Sequence, residues 1–260
     1  MKLTQKNNSI TCLEDWGRFA GPKRGEQWVP GRSAYEFANA WCKDGVAVPA
    51  AMVDLLDSHV ATRGVRPVEG VPEARIHFDQ RGGEPRNADL ALRGEGHHGP
   101  FAITVEAKAD ESFGQLVSEV LADAIDRGLE SNSGAVPRVQ SLVASLLPPR
   151  GLEKRSRPAL RNLRYQLLTA VAGTLAYARE IGAARALLVI HEFVTDRTTD
   201  AKHAANSRDL DGFVKRLSAG EIDRVEGGQV AGPLLRVTGE PLFKSPADLY
   251  LGKIVTRIRA

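Results

Sequence analysis

Residues 186–193, ALLVIHEF, form a nearly continuous apolar run. A strand that shows one face to water alternates apolar and polar side chains. A run without alternation is what a central strand, covered on both faces, looks like. Such a strand demands a sheet with helices packed on it, and the rest of the chain is read against that demand.

Upstream, Ala34, Phe37, Ala38 and Trp41 recur at helical spacing. Ser33 with Glu36 three residues on reads as a capping box at the start of that helix. A second short helix is expected over 49–59, with Pro49 in its first turn. Residues 64–72 are dominated by Pro and Gly and read as a loop. Three strand candidates follow, at 74–80, 86–92 and 101–109. Gly82 and Gly83 suggest a tight turn between the first two, and GEGHHGP separates the second from the third. Links this short make antiparallel neighbours the default. A helical stripe then runs from Phe113 to Leu129, a short helix over 139–147, and a long helix over about 158–181, ending before Gly182. After the apolar run come a helix at about 207–218 and weaker strand signals at 233–237 and 254–258. The fold class expected is α/β, a mixed sheet with flanking helices.

The 260 residues, 42% hydrophobic and 26% charged, suit a single domain able to bury its own core. A net charge of +3 permits an anionic partner without requiring one. Cys12 and Cys42 form neither a CxxC pair nor a disulfide framework, which points to a reducing cytoplasm. No signal-peptide run and no bilayer-length apolar stretch is present, so no membrane partner is expected.

Strand alternation selects the chemistry. In NADLAL, Asn87, Asp89 and Ala91 are expected on one face; in FAITVEAKA, Thr104, Glu106 and Lys108 share one. Pairing the two strands gathers Asp89, Glu106 and Lys108 on one side of an otherwise apolar hairpin. Half-buried charges are costly unless paired. A divalent cation held by both carboxylates removes that cost, and Mg²⁺ suits a site with one or two carboxylates. The competing reading is a solvated face with a cross-strand ion pair, contributing only ~0.2–1 kcal/mol.

Asp89, a gap of sixteen residues, then Glu106-Ala107-Lys108 resembles the D…ExK signature of the PD-(D/E)XK nuclease superfamily. The resemblance covers about residues 33–193 and implies an αβββαβ restriction-endonuclease-like core. N-terminal (1–32) and C-terminal (194–260) extensions would flank it. It implies hydrolysis of phosphodiester bonds in nucleic acid, DNA being the expected substrate, with Mg²⁺ or Mn²⁺ as cofactor. Asp89 and Glu106 would hold the metal, helped by the Ala107 carbonyl, and Lys108 would serve the attacking water. Ala88 stands where the signature's proline would be. Glu36 would be a further acidic contributor to the metal site from the first helix, besides its capping role. Gln166 resembles the polar residue that some members direct at the site, although a solvated helix face is the plainer reading. The superfamily also allows a homodimer. The other class of function on this fold is a silent module that binds nucleic acid or protein.

Weaker candidates are Gln115, the His97-His98 pair, and His191 with Glu192; surface placement or structural hydrogen bonding accounts for each. The strongest basic cluster is RGLEKRSRPALRNLR, with Arg150, Lys154, Arg155, Arg157, Arg161 and Arg164 against Glu153. Cations at a helix start oppose its dipole, so these are the expected phosphate contacts.

Overall fold

The computed structural model describes residues 1–22, 25–80, 83–131, 133–147, 158–234 and 247–258. Along the chain come β1 (Lys2–Gln5), β2 (Asn8–Ile10), α1 (Leu13–Ala20), α2 (Ser33–Cys42), α3 (Ala50–Asp57), β3 (Arg66–Ile76), β4 (Arg86–Gly96) and β5 (Gly99–Lys108). Then follow α4 (Val117–Glu130), α5 (Ala135–Leu146), α6 (Tyr165–Glu180), β6 (Arg185–Val194), α7 (Asp200–Leu217), β7 (Gln229–Ala231) and β8 (Asp248–Arg257). The strands form one mixed sheet in the order β2-β1-β3-β4-β5-β6-β8-β7. β3, β4 and β5 are an antiparallel meander; β6 lies parallel to β5, and β8 parallel to β6. The expected mixed α/β sheet with flanking helices is therefore present; α2 and α3 precede the β3-β4-β5 meander, and α4, α5 and α6 come between it and β6.

β6 is the apolar run, between β5 and β8, with Leu187, Leu188, Val189 and Ile190 all buried. Burying each such side chain contributes about 1.5–3 kcal/mol. Its odd residues pack with Phe37, Trp41 and Leu55 from α2 and α3; its even residues pack with Leu167, Val171 and Phe213 from α6 and α7.

Several expectations need correction. Residues 64–72 are not a loop: most of them belong to β3. The prolines are tolerated because β1 pairs with β3 only at Glu69 and Gly70, and Pro67 sits at a register irregularity. Gly70 is there for proximity; a Cβ would stand 2.6 Å from Leu3 and 2.7 Å from Leu92. The β3–β4 link is no tight glycine turn, since the ladder closes at Ile76↔Arg86 and the link takes residues 77–85. The two-residue hairpin turn is instead His97-His98, closed by Gly96↔Gly99 with Gly99 at φ +89°. The helix after β5 starts only at Val117, and its stripe is not wholly buried: Ile125 and Leu129 are exposed. The 207–218 helix begins earlier, at Asp200, and the last strand reaches back to Asp248. Of the 233–237 strand signal, Pro233 and Leu234 are outside any strand, and 235–237 lie outside the described residues. The two flanking extensions are built into the same sheet, at its two edges.

Candidate active site

The β4–β5 ladder runs from Gly96↔Gly99 to Leu90↔Val105. The next step would pair Asp89 with Glu106, and there it stops. The β3–β4 ladder skips the same point, passing from Pro72↔Leu90 to Ala74↔Ala88. Glu73, opposite the gap, has φ +49°, a left-handed conformation costing roughly 1–2 kcal/mol. Strain of this kind concentrates at functional sites. Alternation fails here as well: Ala88 and Ala91 pack into the same small cluster as Ala74 and Ile76, so the expected shared face of Asn87, Asp89 and Ala91 is interrupted.

The break is filled by a side chain. The Asp89 carboxylate accepts from the Ala107 backbone N–H at 2.6 Å, in place of a ladder bond. Asp89 also lines a cleft of about 940 Å³ together with Glu73, Asn87 and Glu111. Its other oxygen makes no hydrogen bond among the described residues. Burial raises the Asp89 pKa, opposed by the Lys108 ammonium, the Ala107 N–H and Arg86. Burial and the neighbouring Asp89 push Glu73 up to about 7.

Glu106 is 2% exposed and carries a full set of donors. Its Oε1 accepts from Lys108 Nζ at 2.7 Å and from Gln166 Nε2 at 2.6 Å, and its Oε2 from Arg86 Nη2. Lys108 is buried too, with its Nζ 5.5 Å from the Phe113 ring centroid. Desolvation lowers its pKa, against the pull of Asp89 and Glu111. Arg86 is likewise lowered by burial. Its Nε is buried with no partner among the described residues, and its stem fits against Gly173 of α6, where a Cβ would stand 2.9 Å from Arg86 Cγ.

Thus Lys108 and Gln166 converge on Glu106, and Asp89, whose carboxyl also feels the Lys108 charge, fills the strand break beside them; the two carboxylates line different cavities. Gln166 is not on a solvated face; α6 delivers it to Glu106. Arg86, Glu73 and Glu111 are members that sequence reasoning missed. Strict alternation separates Arg86 from Asp89, and Glu73 fell at the edge of a presumed loop.

Other candidates lie elsewhere. Glu36 does not line the Asp89 cleft. Its Oε1 accepts from the Gly31 N–H at 2.7 Å, and it lines a separate pocket of about 310 Å³ with Trp41 and Phe193. Ser33 is already the first helical residue, and no side-chain cap bond is made there, so the capping box is replaced by the Glu36–Gly31 bond. Gln115 bonds Asp123. His191 bonds Thr256, and Glu192 bonds His203. Arg164 is tied to Asp209 and the Gly114 carbonyl, each at 2.7 Å, and Arg161 is exposed. Arg150, Lys154, Arg155 and Arg157 lie outside the described residues. Among the described residues, no group of three or more His, Cys, Asp or Glu side chains is gathered for a metal. No described helix is long and apolar enough to cross a membrane.

Fold and site together define an α/β protein with a mixed sheet and a buried acid–base cluster where two strands part. The chain belongs to the family DUF6946, a domain of unknown function, whose model matches residues 9–257. No curated protein and no solved structure matches it.

Proposed function

We propose that the chain is a metal-dependent nuclease hydrolysing phosphodiester bonds of nucleic acid, with DNA as the expected substrate. The observation that carries this reading is the convergence of Lys108 and Gln166 on Glu106 next to the strand break that Asp89 fills. The donors fit Mg²⁺ or Mn²⁺. Two carboxylates and a backbone carbonyl are hard oxygen ligands, and Mg²⁺ needs few of them because it keeps several waters. Asp89, Glu106 and the Ala107 carbonyl would hold the cation, with Arg86 and Lys108 yielding their places on Glu106. When bound, the cation supplies polarisation of a phosphate oxygen and a more acidic water. Lys108 orients the attacking water or meets charge on the pentacovalent phosphorus. Gln166 fixes the Glu106 carboxylate. The reading places the chain's action in the cytoplasm and allows a homodimer.

One observation favours a second reading. Arg86 and Lys108 already neutralise Glu106, as they would in a silent module that keeps the fold and binds nucleic acid or protein without turnover. Melting curves with and without Mn²⁺ test the first reading, because a ligand bound only by the folded state raises apparent stability. The nuclease reading expects stabilisation of the wild type, its loss in Asp89→Asn, and Mn²⁺-dependent cleavage. A wild type that binds nucleic acid yet neither responds to Mn²⁺ nor cleaves would establish the silent module.

A further inference from the structure

The cleft that exposes Asp89 has walls that are not part of the β3-β4-β5 meander. One is the β1–β2 hairpin, whose turn residues Lys6 and Asn7 have φ +47° and +69°. Another is the end of α1, which brings Phe19 to the cleft. β3 and β4 complete it with Arg75, Glu73 and Asp89.

The state of its charges indicates what it accepts. Most of the lining acids already accept a hydrogen bond from a neutral N–H, which fixes their position but leaves their charge. Asp89 accepts from Ala107 N–H, Glu73 from Asn87, and Glu111 from the N–H groups of Ala109 and Asp110. The carboxylate of Glu84 alone among the lining acids makes no such bond among the described residues. The cations differ. Lys6 and Arg75 are exposed, line the cleft, and make no side-chain hydrogen bond or ion pair among the described residues. Phe19 is half-buried, with the Arg18 guanidinium 5.1 Å from its ring centroid. Unpaired cations beside an aromatic face are what single-strand sites use, cations for the phosphates and a ring for the bases. The volume, about 940 Å³, is at the top of the ~300–1,000 Å³ range of small-ligand sites. It has room for a few nucleotides of one strand.

We propose that this cleft takes a single polynucleotide strand, with Lys6 and Arg75 on its phosphates and Phe19 stacked on a base. The nucleic acid must then present an unpaired stretch to Asp89. The inference rests on the nuclease reading for its substrate class, but binding can be measured without turnover.

The experiment uses the full chain in EDTA and a fluorescein-labelled DNA strand of about twelve nucleotides, within the ~4–16 that single-strand sites cover. The same sequence as a blunt duplex is the comparison, and anisotropy is the readout. The single strand should bind at least about tenfold tighter than the duplex. Phe19→Leu should weaken strand binding roughly tenfold, in line with stacking at one base, and leave its salt dependence unchanged. Arg75→Gln, an exposed change that does not threaten the fold, should weaken binding and lower the salt slope by about 0.7, the share of one phosphate contact. Equal affinity for strand and duplex, with both variants like wild type, overturns the proposal. If duplex is also cleaved with Mn²⁺ in an Asp89-dependent way, the nuclease reading survives that failure. Strand binding that needs Phe19 and Arg75, without any Mn²⁺-dependent cleavage, supports the strand site and removes the nuclease reading.

Discussion

Two buried charge clusters sit on neighbouring strands, and they differ in kind. One is the Asp89–Glu106–Lys108 group at the end of the β4–β5 hairpin. The other joins Glu192 on β6 and Lys253 on β8 to His203 and Ser207 on α7. Glu192 accepts from His203 at 2.6 Å and faces Lys253 at 3.5 Å, and Lys253 donates to Ser207 at 3.0 Å. Glu192 and Glu106 are equally buried. Yet the second cluster lies in unbroken register, Ile190↔Lys253 through Glu192↔Val255. The first lies where the β3–β4 ladder skips a residue and the β4–β5 ladder ends, with a left-handed Glu73, an Arg86 Nε that has no partner among the described residues, and carboxyl groups pushed upward. Buried charge alone therefore does not distinguish a site from a structural lock. The broken ladder is the feature that sets the first cluster apart.

The comparison is broken most decisively by turnover. With Mn²⁺ and a DNA substrate, Asp89→Asn and Lys108→Ala should each lower cleavage by about a hundredfold or more, the scale on which positioned acid–base groups act. Glu192→Gln should stay within about threefold of wild type, the lock having no part in the chemical step. A Glu192 effect as large as that of Lys108, in a protein that melts normally, would erase the distinction.

Stability should reverse the ranking. Glu192→Ala strands Lys253 in the interior, and breaking a buried pair by removing one partner costs about 3–5 kcal/mol. Asp89→Asn in EDTA should be neutral or stabilising, because burial already disfavours the Asp89 charge. Urea unfolding of both variants at neutral pH checks this, and a larger loss for Asp89→Asn would contradict it.

The smallest effect sharpens the contrast through pH. Glu73 titrates at about 7 in the folded chain against 4.5 as an ordinary carboxyl. The folded state therefore holds more protons than the unfolded between those values, and stability falls as pH rises through that window. Glu73→Gln should remove the Glu73 share of this decline, leaving the smaller part due to Asp89, whose pKa burial also raises. It should match wild type near pH 4 and exceed it at pH 8 by about 1–2 kcal/mol, allowing for partial exposure. Parallel curves for the two proteins would place the Glu73 carboxyl in ordinary solvent.

The sheet was legible where burial and periodicity act together. ALLVIHEF could only be a covered strand, and DLAL with TVEAK showed the hairpin. β1 and β2 escaped because they are short and their turn is Lys6-Asn7, without the glycine that usually marks a left-handed turn. Only the end of β3 was legible, as the 74–80 signal that in fact stops at Ile76; its first part escaped because Pro67 and Pro72 signal a loop unless the strand's partners are known. In the site, Asp89, Glu106 and Lys108 could be named because charge interrupts an apolar pattern. Arg86 could not, since alternation assumes a regular ladder, and the break at Asp89 arises only from three strands meeting.

The packing of Leu3 against Gly70 ties two properties to one small element. The hairpin that carries Lys6 into the cleft also covers part of the open edge of β3. An uncovered edge is a template for strand addition by another chain. Variation in the hairpin that retunes what the cleft accepts is thereby filtered by solubility. A change of the Lys6 side chain would alter the ligand without opening the edge, while changes at Leu3 or Gly70 would surface first as aggregation, before any change in ligand preference could be seen.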